Sequence, residues 1–116
     1  EVAVNLTAET YGHAVVLNIK GELTEDSLGS FQREVEHQLA GRDVIDLVLN
    51  LEKAPFVDSI CLEYLLDLQD QLTEKLGQVK LVRPDENVCK ILEITRLSGI
   101  FETYKDTAEA VKAVQA

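Results

Sequence analysis

The alternation of apolar and polar residues predicts two strands near the start of the chain. Residues 2–6 place valine and leucine at every second position, which is typical of a half-buried strand. Residues 14–20 are mostly β-branched or apolar and predict a second strand that ends at Gly21. The turn signal Tyr11-Gly12 lies between them, so the two strands are expected to pair as a hairpin.

Four later segments carry apolar residues at the spacing of one helix face. They run from about residue 27 to 41, from 58 or 59 to 76, from 85 to about 98, and from 107 onward. In the second segment the predicted apolar stripe consists of Leu62, Leu65, Leu66, Leu72 and Leu76. Asp58 and Ser59 are both good N-cap residues for that helix, and Gly77 is expected to end it.

Three apolar stretches between these helices predict further strands. Residues 44–51 form the most apolar one, as expected for a central strand covered on both faces, and residues 78–83 and 101–104 supply the others. The predicted order is β-β-α-β-α-β-α-β-α, and helices between strands imply crossover connections. We therefore predict an α/β fold with a mixed, largely parallel sheet. No linker or repeat interrupts the pattern, so residues 1–116 are expected to form a single domain.

Composition narrows the classes of function. The chain has 46% hydrophobic and 28% charged residues, an ordinary balance for a globular domain. Its 21 acidic and 11 basic residues give a net charge of −10, and because phosphate backbones bind basic surfaces, nucleic acid is not an expected partner. No apolar run approaches the roughly 20 residues that span a bilayer, so no membrane insertion is expected. The chain begins at Glu1 and contains no methionine, which suggests that it was trimmed or excised from a longer one.

The sequence offers few groups for catalysis or metal binding. Cys61 and Cys89 are far apart and form no C-x-x-C pair, so both are expected to be reduced and buried. His13 and His37 share no ligand-like spacing with them, and neither a metal nor another cofactor is predicted. No G-x-S-x-G, G-x-G-x-x-G or P-loop pattern is present. We expect no catalytic residues and a protein that is not an enzyme.

One segment, residues 50–59, joins the most apolar strand to the longest predicted helix. It places Ser59 at the N-terminus of that helix, at the edge of the sheet where loops commonly form binding sites. A serine there can simply cap the helix, which is worth around 1 kcal/mol. It can also accept a phosphate, because free N–H groups and the helix dipole tolerate added negative charge. Position alone favours the cap.

The same segment resembles a known family. The run Val48-Leu49-Asn50-Leu51-Glu52, followed by Phe56-Val57-Asp58-Ser59, is similar to the signature of STAS domains in bacterial anti-sigma factor antagonists. Gly21-Glu22-Leu23 matches the Gly-x-Leu turn of that family, and the run from Thr95 to Phe101 fits its C-terminal part. The resemblance covers nearly the whole chain and implies a STAS-like mixed sheet with helices mainly on one side.

The resemblance also implies a function and a set of site residues. Ser59 is expected to be the phosphorylation site of a cytoplasmic regulatory module. The unmodified domain would bind an anti-sigma factor that is also a serine kinase, phosphorylation would end that binding, and a PP2C-type phosphatase would restore it. The expected partner-binding residues are Glu22, Leu23, Thr24, Asp58, Ser59, Ile60 and Glu63.

The chain departs from the family pattern on both sides of this site. Ile60-Cys61-Leu62-Glu63 replaces the usual Ser or Thr followed by Gly-Leu-Gly, so Cys61 and Glu63 are expected to add bulk where a partner approaches. Thr24 replaces an acidic residue and is either a turn residue or a second phosphoacceptor. Two other functions stay open: a scaffold or accessory STAS domain of a transporter, sensor or stressosome-type assembly without phosphorylation, and a small-ligand or nucleotide-binding module.

Overall fold

The computed structural model describes residues 4–41 and 43–115, and within them it contains five strands and four helices. The strands are β1 (Asn5–Tyr11), β2 (Ala14–Lys20), β3 (Asp46–Lys53), β4 (Val79–Val82) and β5 (Thr103–Tyr104). The helices are α1 (Glu25–Leu39), α2 (Ser59–Glu74), α3 (Glu86–Ile94) and α4 (Thr107–Gln115). The predicted β-β-α-β-α-β-α-β-α order and the α/β class are confirmed.

The strands form one mixed sheet in the order β1-β2-β3-β4-β5. β1 and β2 form the predicted antiparallel hairpin, and β2, β3, β4 and β5 are parallel to one another. Because the carboxyl ends of parallel strands meet at one edge, the loops that follow β2, β3 and β4 all leave the sheet at that edge. The N-termini of α1, α2 and α3 therefore start from the same side of the molecule.

The two faces of the sheet are covered unequally. On one face a large apolar cluster joins the sheet to α1, α2 and α3, and its members from the two central strands are Val15, Leu17, Ile19, Leu47, Leu49 and Leu51. On the other face α4 covers a smaller cluster formed by Val16, Val48, Val82, Ala110 and Val111. Neighbouring residues of β2 and β3 belong to opposite clusters, as the period of two in a strand requires. The prediction of helices mainly on one side is confirmed.

The first strand lies later in the chain than its sequence pattern suggested. Val2 falls outside the described residues, and β1 runs to Tyr11, with every residue paired to β2. Thr7, Glu9 and Tyr11 are exposed on this edge strand. The second half of β1 therefore lacks the alternation of apolar and polar residues from which the sequence predicts a strand.

The buried stripe of α2 lacks two of the predicted residues, Leu66 and Leu76, and contains two others, Cys61 and Leu68. Its buried residues are Cys61, Leu62, Leu65, Leu68 and Leu72. Leu68 is only 2% exposed, whereas Leu66 is partly buried at the margin of the core. Leu76 is 90% exposed because it lies beyond the end of the helix. The placement of Leu66 and Leu76 in the central stripe was wrong.

The end of α2 also differs from the expected glycine stop. Leu76 adopts a φ of 67°, its N–H donates to the Thr73 carbonyl at 3.0 Å, and the Gly77 N–H donates to the Leu72 carbonyl at 2.7 Å. This pattern is a Schellman motif in which leucine occupies the left-handed position that usually holds glycine. Gly77 is needed for a different reason: a Cβ there would collide with the carbonyl oxygen of Ile45.

None of the helices in the described part of the chain combines the length and the apolar composition needed to cross a membrane.

Candidate functional site

The connection from β3 to α2 brings Ser59 to the carboxyl edge of the sheet. Ala54 closes a turn by donating its N–H to the Leu51 carbonyl at 3.0 Å. Ala54 and Val57 are buried, and between them Pro55 and Phe56 face the solvent. The buried residues anchor the loop, so α2 starts at a defined place with Ser59 as its first residue.

A second segment, residues 21–24, lies directly beside this loop. The Leu23 N–H donates to the Phe56 carbonyl at 2.9 Å, and the Asp58 N–H donates to the Leu23 carbonyl, also at 2.9 Å. These two bonds form a short parallel bridge between Leu23 and Val57. The structure therefore brings residues 21–24 beside the loop that leads into α2, and these two segments together with the first turns of α2 contain all the predicted partner-binding residues.

Asp58 ties the N-termini of two helices together. Its Oδ1 accepts from the Cys61 N–H at 3.0 Å, which caps its own helix α2. Its Oδ2 accepts from the Glu25 N–H at 2.8 Å, in the first turn of α1. A single carboxylate thus satisfies N–H groups of both helices that flank the site. The second bond joins residues 33 positions apart, and no local sequence pattern signals it.

Ser59 stands exposed at the first position of α2, because Asp58 and not Ser59 is the N-cap residue. No hydrogen bond within the described residues engages the Ser59 hydroxyl. Two exposed apolar side chains lie near it in the chain, Phe56 at 39% and Ile60 at 38% exposure. Phe56 was not among the predicted site residues, although an aromatic residue directly after a loop proline is a signal that could have indicated it.

The remaining predicted site residues divide into exposed and buried ones. Glu22 and Glu63 are exposed, and Glu63 lies four residues after Ser59, on the same face of α2. Leu23 is fully buried, so in this conformation it can contribute to a partner surface only by holding the loop in place. The Thr24 hydroxyl oxygen is also buried and has no hydrogen-bond partner among the described groups. A kinase could not reach Thr24 without opening this loop.

Cys61 points into the core and not toward the surface that a partner would approach. The residue is buried, and its Sγ lies 3.5 Å from the Thr24 carbonyl oxygen. Burial, reinforced by the negative charge of Asp58, raises the pKa of Cys61 to about 12. It is therefore a neutral thiol at physiological pH. The expectation that Cys61 adds bulk at the partner surface was wrong, whereas Glu63 does add a charged side chain there.

Neither histidine of the described residues lies near Ser59. His13 lies in the turn before β2, at the opposite edge of the sheet, with its Nδ1 2.8 Å from Asp46 Oδ2. His37 lies twelve residues after the start of α1, about 18 Å along the helix axis. The described residues also contain no cluster of three or more His, Cys, Asp or Glu that could hold a metal ion. What the arrangement offers is an exposed hydroxyl on a rigid, partly apolar surface.

Comparisons with known proteins agree with this fold. A family model described as the STAS domain matches residues 5–110. A protein of Thermotoga neapolitana, provisionally named as a homolog of the anti-sigma factor antagonist TM1081, is 27% identical over 101 residues, which is 87% of this chain and 89% of that protein.

Three solved structures illustrate the likeness in fold. An anti-sigma factor antagonist from Mycobacterium paratuberculosis has a TM-score of 0.85 at 19% identity, covering 98% of this chain and 96% of the other. The anti-sigma factor antagonist SpoIIAA in its unphosphorylated form has a TM-score of 0.82 at 20% identity, covering 96% of both chains. A phosphorylated form of the Bacillus protein SpoIIAA has a TM-score of 0.73 at 20% identity, covering 95% and 99%. These TM-scores show the shared fold, and the match of the family model extends over most of the sequence. The chain therefore belongs to the STAS domain family.

Proposed function

We propose that this chain is a regulatory protein-binding module, an anti-sigma factor antagonist that is switched by phosphorylation of Ser59 in the cytoplasm. The observation that carries the proposal is the exposed, unengaged hydroxyl of Ser59 at the start of α2. The relatives named as anti-sigma factor antagonists support the class of partner, and SpoIIAA, which shares the fold, exists in both phosphorylated and unphosphorylated forms.

The partner of the unmodified state is an anti-sigma factor that also acts as a serine kinase, and a PP2C-type phosphatase restores the unmodified state. The contact surface is formed on both sides of the Leu23–Val57 bridge. Residues 21–24 supply Glu22 and Thr24, and the start of α2 supplies Ser59, Ile60 and Glu63. Phe56 adds an apolar anchor to this surface. An exposed aromatic residue three positions before a modifiable hydroxyl suits an interface that must dissociate when the charge changes.

Phosphorylation is expected to leave the fold nearly unchanged. A phosphate adds a charge of about −1.5 to −2 at pH 7. The N-terminus of α2 favours that charge by roughly 0.3–1 kcal/mol. Repulsion from the nearby carboxylates of Asp58 and Glu63 opposes it by a similar amount, since exposed charges interact weakly in water. The net effect of the phosphate on the free energy of folding is therefore close to zero.

The same phosphate is expected to weaken partner binding strongly. At an interface the added charge must be desolvated, and an unpaired buried charge costs around 3–5 kcal/mol. Because each 1.4 kcal/mol is tenfold in affinity, the loss is at least about a hundredfold.

A binding experiment with four forms of the protein tests the proposal. Wild type, Ser59→Ala, Ser59→Asp and the control Ser98→Asp are used to recover partners from native lysate, and the recovered partner is then titrated. Ser98 is a matched control because it is exposed in the connection between α3 and β5. We expect tight binding by wild type, Ser59→Ala and Ser98→Asp, and a loss of about a hundredfold for Ser59→Asp at an unchanged melting temperature. Equal binding by Ser59→Asp, or its unfolding, would contradict the switch.

A further inference from the structure

A polar cavity of about 530 Å³ lies at the amino edge of the sheet, where the parallel strands begin. This edge is opposite to the carboxyl edge that carries Ser59. The C-terminal part of α4 forms one wall of the cavity. Its charged lining comes from four neighbouring places along the edge, namely His13, Asp46, Lys80 and Glu102. The volume falls within the range of small-molecule sites in proteins.

Lys80 is buried in a strand that is otherwise apolar. All four residues of β4 are buried, and Lys80 is only 4% exposed, although lysine is almost never fully buried unless it is paired. Its Nζ donates to Glu102 Oε1 and lies 5.8 Å from the centre of the Tyr104 ring. An ammonium group has three N–H donors, and the hydrogen bonds of the described residues engage one of them. Two donors of a buried cation are therefore left for a group inside the cavity.

Glu102 balances the charge of Lys80 from the solvent side. Its side chain is 66% exposed, whereas that of Lys80 is 5% exposed. The hydrogen bond and the positive charge of Lys80 lower the pKa of Glu102, so this carboxylate is ionised at neutral pH. Since most of the Glu102 side chain is in water, it can shift to admit a ligand while Lys80 stays in place.

Asp46 supplies a buried charge of the opposite sign. Its side chain is 5% exposed, and its Oδ1 accepts from the Gln78 N–H at 2.9 Å. Its Oδ2 lies 2.8 Å from His13 Nδ1, but this nitrogen is not aligned for a hydrogen bond with any group of the described residues. A carboxylate can accept about four hydrogen bonds. Asp46 therefore retains capacity to accept a donor, and a buried charge that is incompletely hydrogen-bonded is costly.

Strand register sets the spacing of the two buried charges. Lys80 pairs with Val48, and Asp46 lies two residues before Val48 on the same face of β3. With strands about 4.8 Å apart and a rise of about 3.3 Å per residue, the Cα atoms of Asp46 and Lys80 are roughly 8 Å apart. A simple anion in this cavity would meet Asp46 and Glu102, and a simple cation would meet Lys80. A molecule that carries both charges can pair with both.

We propose that this cavity binds a small zwitterion, a molecule with one carboxylate and one ammonium group such as a free amino acid. Its carboxylate accepts from the open donors of Lys80, and its ammonium donates to Asp46. Leu76, which is 90% exposed, borders the cavity and can contact an apolar part of the ligand. The inference goes beyond the proposed function and does not rest on it, because the cavity and Ser59 lie at opposite edges of the sheet.

The test titrates the isolated chain with each common L-amino acid in turn and follows its amide resonances by NMR. We expect saturable shifts around residues 13, 46, 80 and 102 with at least one amino acid. The N-acetyl derivative of the tightest ligand lacks the ammonium group, and its amide derivative lacks the carboxylate. Each derivative should bind about tenfold more weakly, because each loses a hydrogen bond to a charged group of the cavity.

Two variants connect the binding to the buried charges. Lys80→Met keeps the length of the side chain without its charge, and Asp46→Asn keeps an oxygen that can accept from the Gln78 N–H. Each should weaken binding about tenfold. Lys90→Met is the matched control, since Lys90 is exposed on α3 and does not line the cavity, and it should leave the affinity unchanged. If Lys80→Met does not fold, Asp46→Asn decides the result.

Three outcomes would overturn the proposal. The first is the absence of saturable shifts at the cavity with every amino acid. The second is equally tight binding of acetate or ethylamine, which would indicate an adventitious ion only. The third is unchanged affinity in a folded Lys80→Met or Asp46→Asn variant. None of these outcomes depends on Ser59, so a failed phosphorylation switch would leave this result intact.

Discussion

Asp58 shows how one side chain can set the geometry of the whole site. Both of its carboxylate oxygens accept backbone N–H groups, one from α2 and one from α1. The start of α2 therefore cannot move without disturbing the start of α1. These hydrogen bonds of Asp58 fix the position of Ser59, the next residue, which itself contributes little to the arrangement.

Replacing Asp58 with alanine is expected to destabilise the protein by about 2 kcal/mol, because an N-cap is typically worth about 1 kcal/mol and a second N–H loses its partner as well. Asp85→Ala is the control, since Asp85 caps only its own helix α3. It should lose about 1 kcal/mol. Urea denaturation of both variants measures the difference. A loss no larger for Asp58→Ala than for Asp85→Ala would show that the bond to Glu25 contributes nothing.

Tyr64 is a second residue with a defined energetic consequence. Its ring packs edge-on against Phe31 with the centroids 5.7 Å apart, while its hydroxyl is buried and has no partner among the described groups. Burial, with a smaller contribution from Glu36, raises the pKa of Tyr64 to about 12. Tyr64→Phe removes the unpaired hydroxyl and keeps the ring contact, so at neutral pH it should leave stability unchanged or raise it by up to about 1 kcal/mol.

The raised pKa values of Cys61 and Tyr64 predict an alkaline loss of stability. The unfolded chain ionises these groups near 9.0 and 10.0, whereas the fold keeps both protonated to about 12. The unfolded state therefore releases protons first, so their contribution is complete below about pH 9 and is lost as the pH rises toward 12. Denaturation midpoints across this range should fall less steeply for Tyr64→Phe than for wild type. If the midpoints of Tyr64→Phe and wild type fell equally steeply with pH, the raised pKa of Tyr64 would be contradicted.

At the scale of elements, the register of α2 determines which leucines hold it to the sheet. Leu68 faces the core and Leu66 lies at its margin, a difference of about half a turn that depends on how α2 packs against the sheet and α1. The sequence pattern permits either placement, because apolar residues stand at both positions. Tertiary packing, and not local spacing, selects between them.

Leu68→Ala is expected to cost about 2–5 kcal/mol, as large-to-small changes in a packed core do. Leu66→Ala is the matched control and should cost clearly less, because its side chain is only partly buried. Chemical denaturation of the two variants ranks them directly. The reverse ranking would mean that the register of α2 is wrong.

At the scale of the whole molecule, the order of elements could be predicted from the sequence, and so could the place of the candidate site in the fold. Helical and strand periodicities are local properties, and the Asp58-Ser59 pair stands at a helix start that local pattern reveals. The contacts that assemble the site are not local: Leu23 bonds to residues 33 and 35 positions away, and Asp58 bonds to Glu25. The burial of Leu23 follows from these contacts, which is why its side chain was misjudged as part of the partner surface. Cys61 was correctly expected to be buried, and for the same reason it adds no bulk to that surface.

Phosphorylation of Ser59 is the central claim, and the intact mass of the protein isolated from the cells that produce it tests that claim most directly. We predict that a fraction carries one phosphate, that fragmentation places it on Ser59, and that a PP2C-type phosphatase removes it. A strain carrying Ser59→Ala should yield only the unmodified mass. An unmodified protein under all growth conditions, or a phosphate on another residue such as Thr24, would contradict the account.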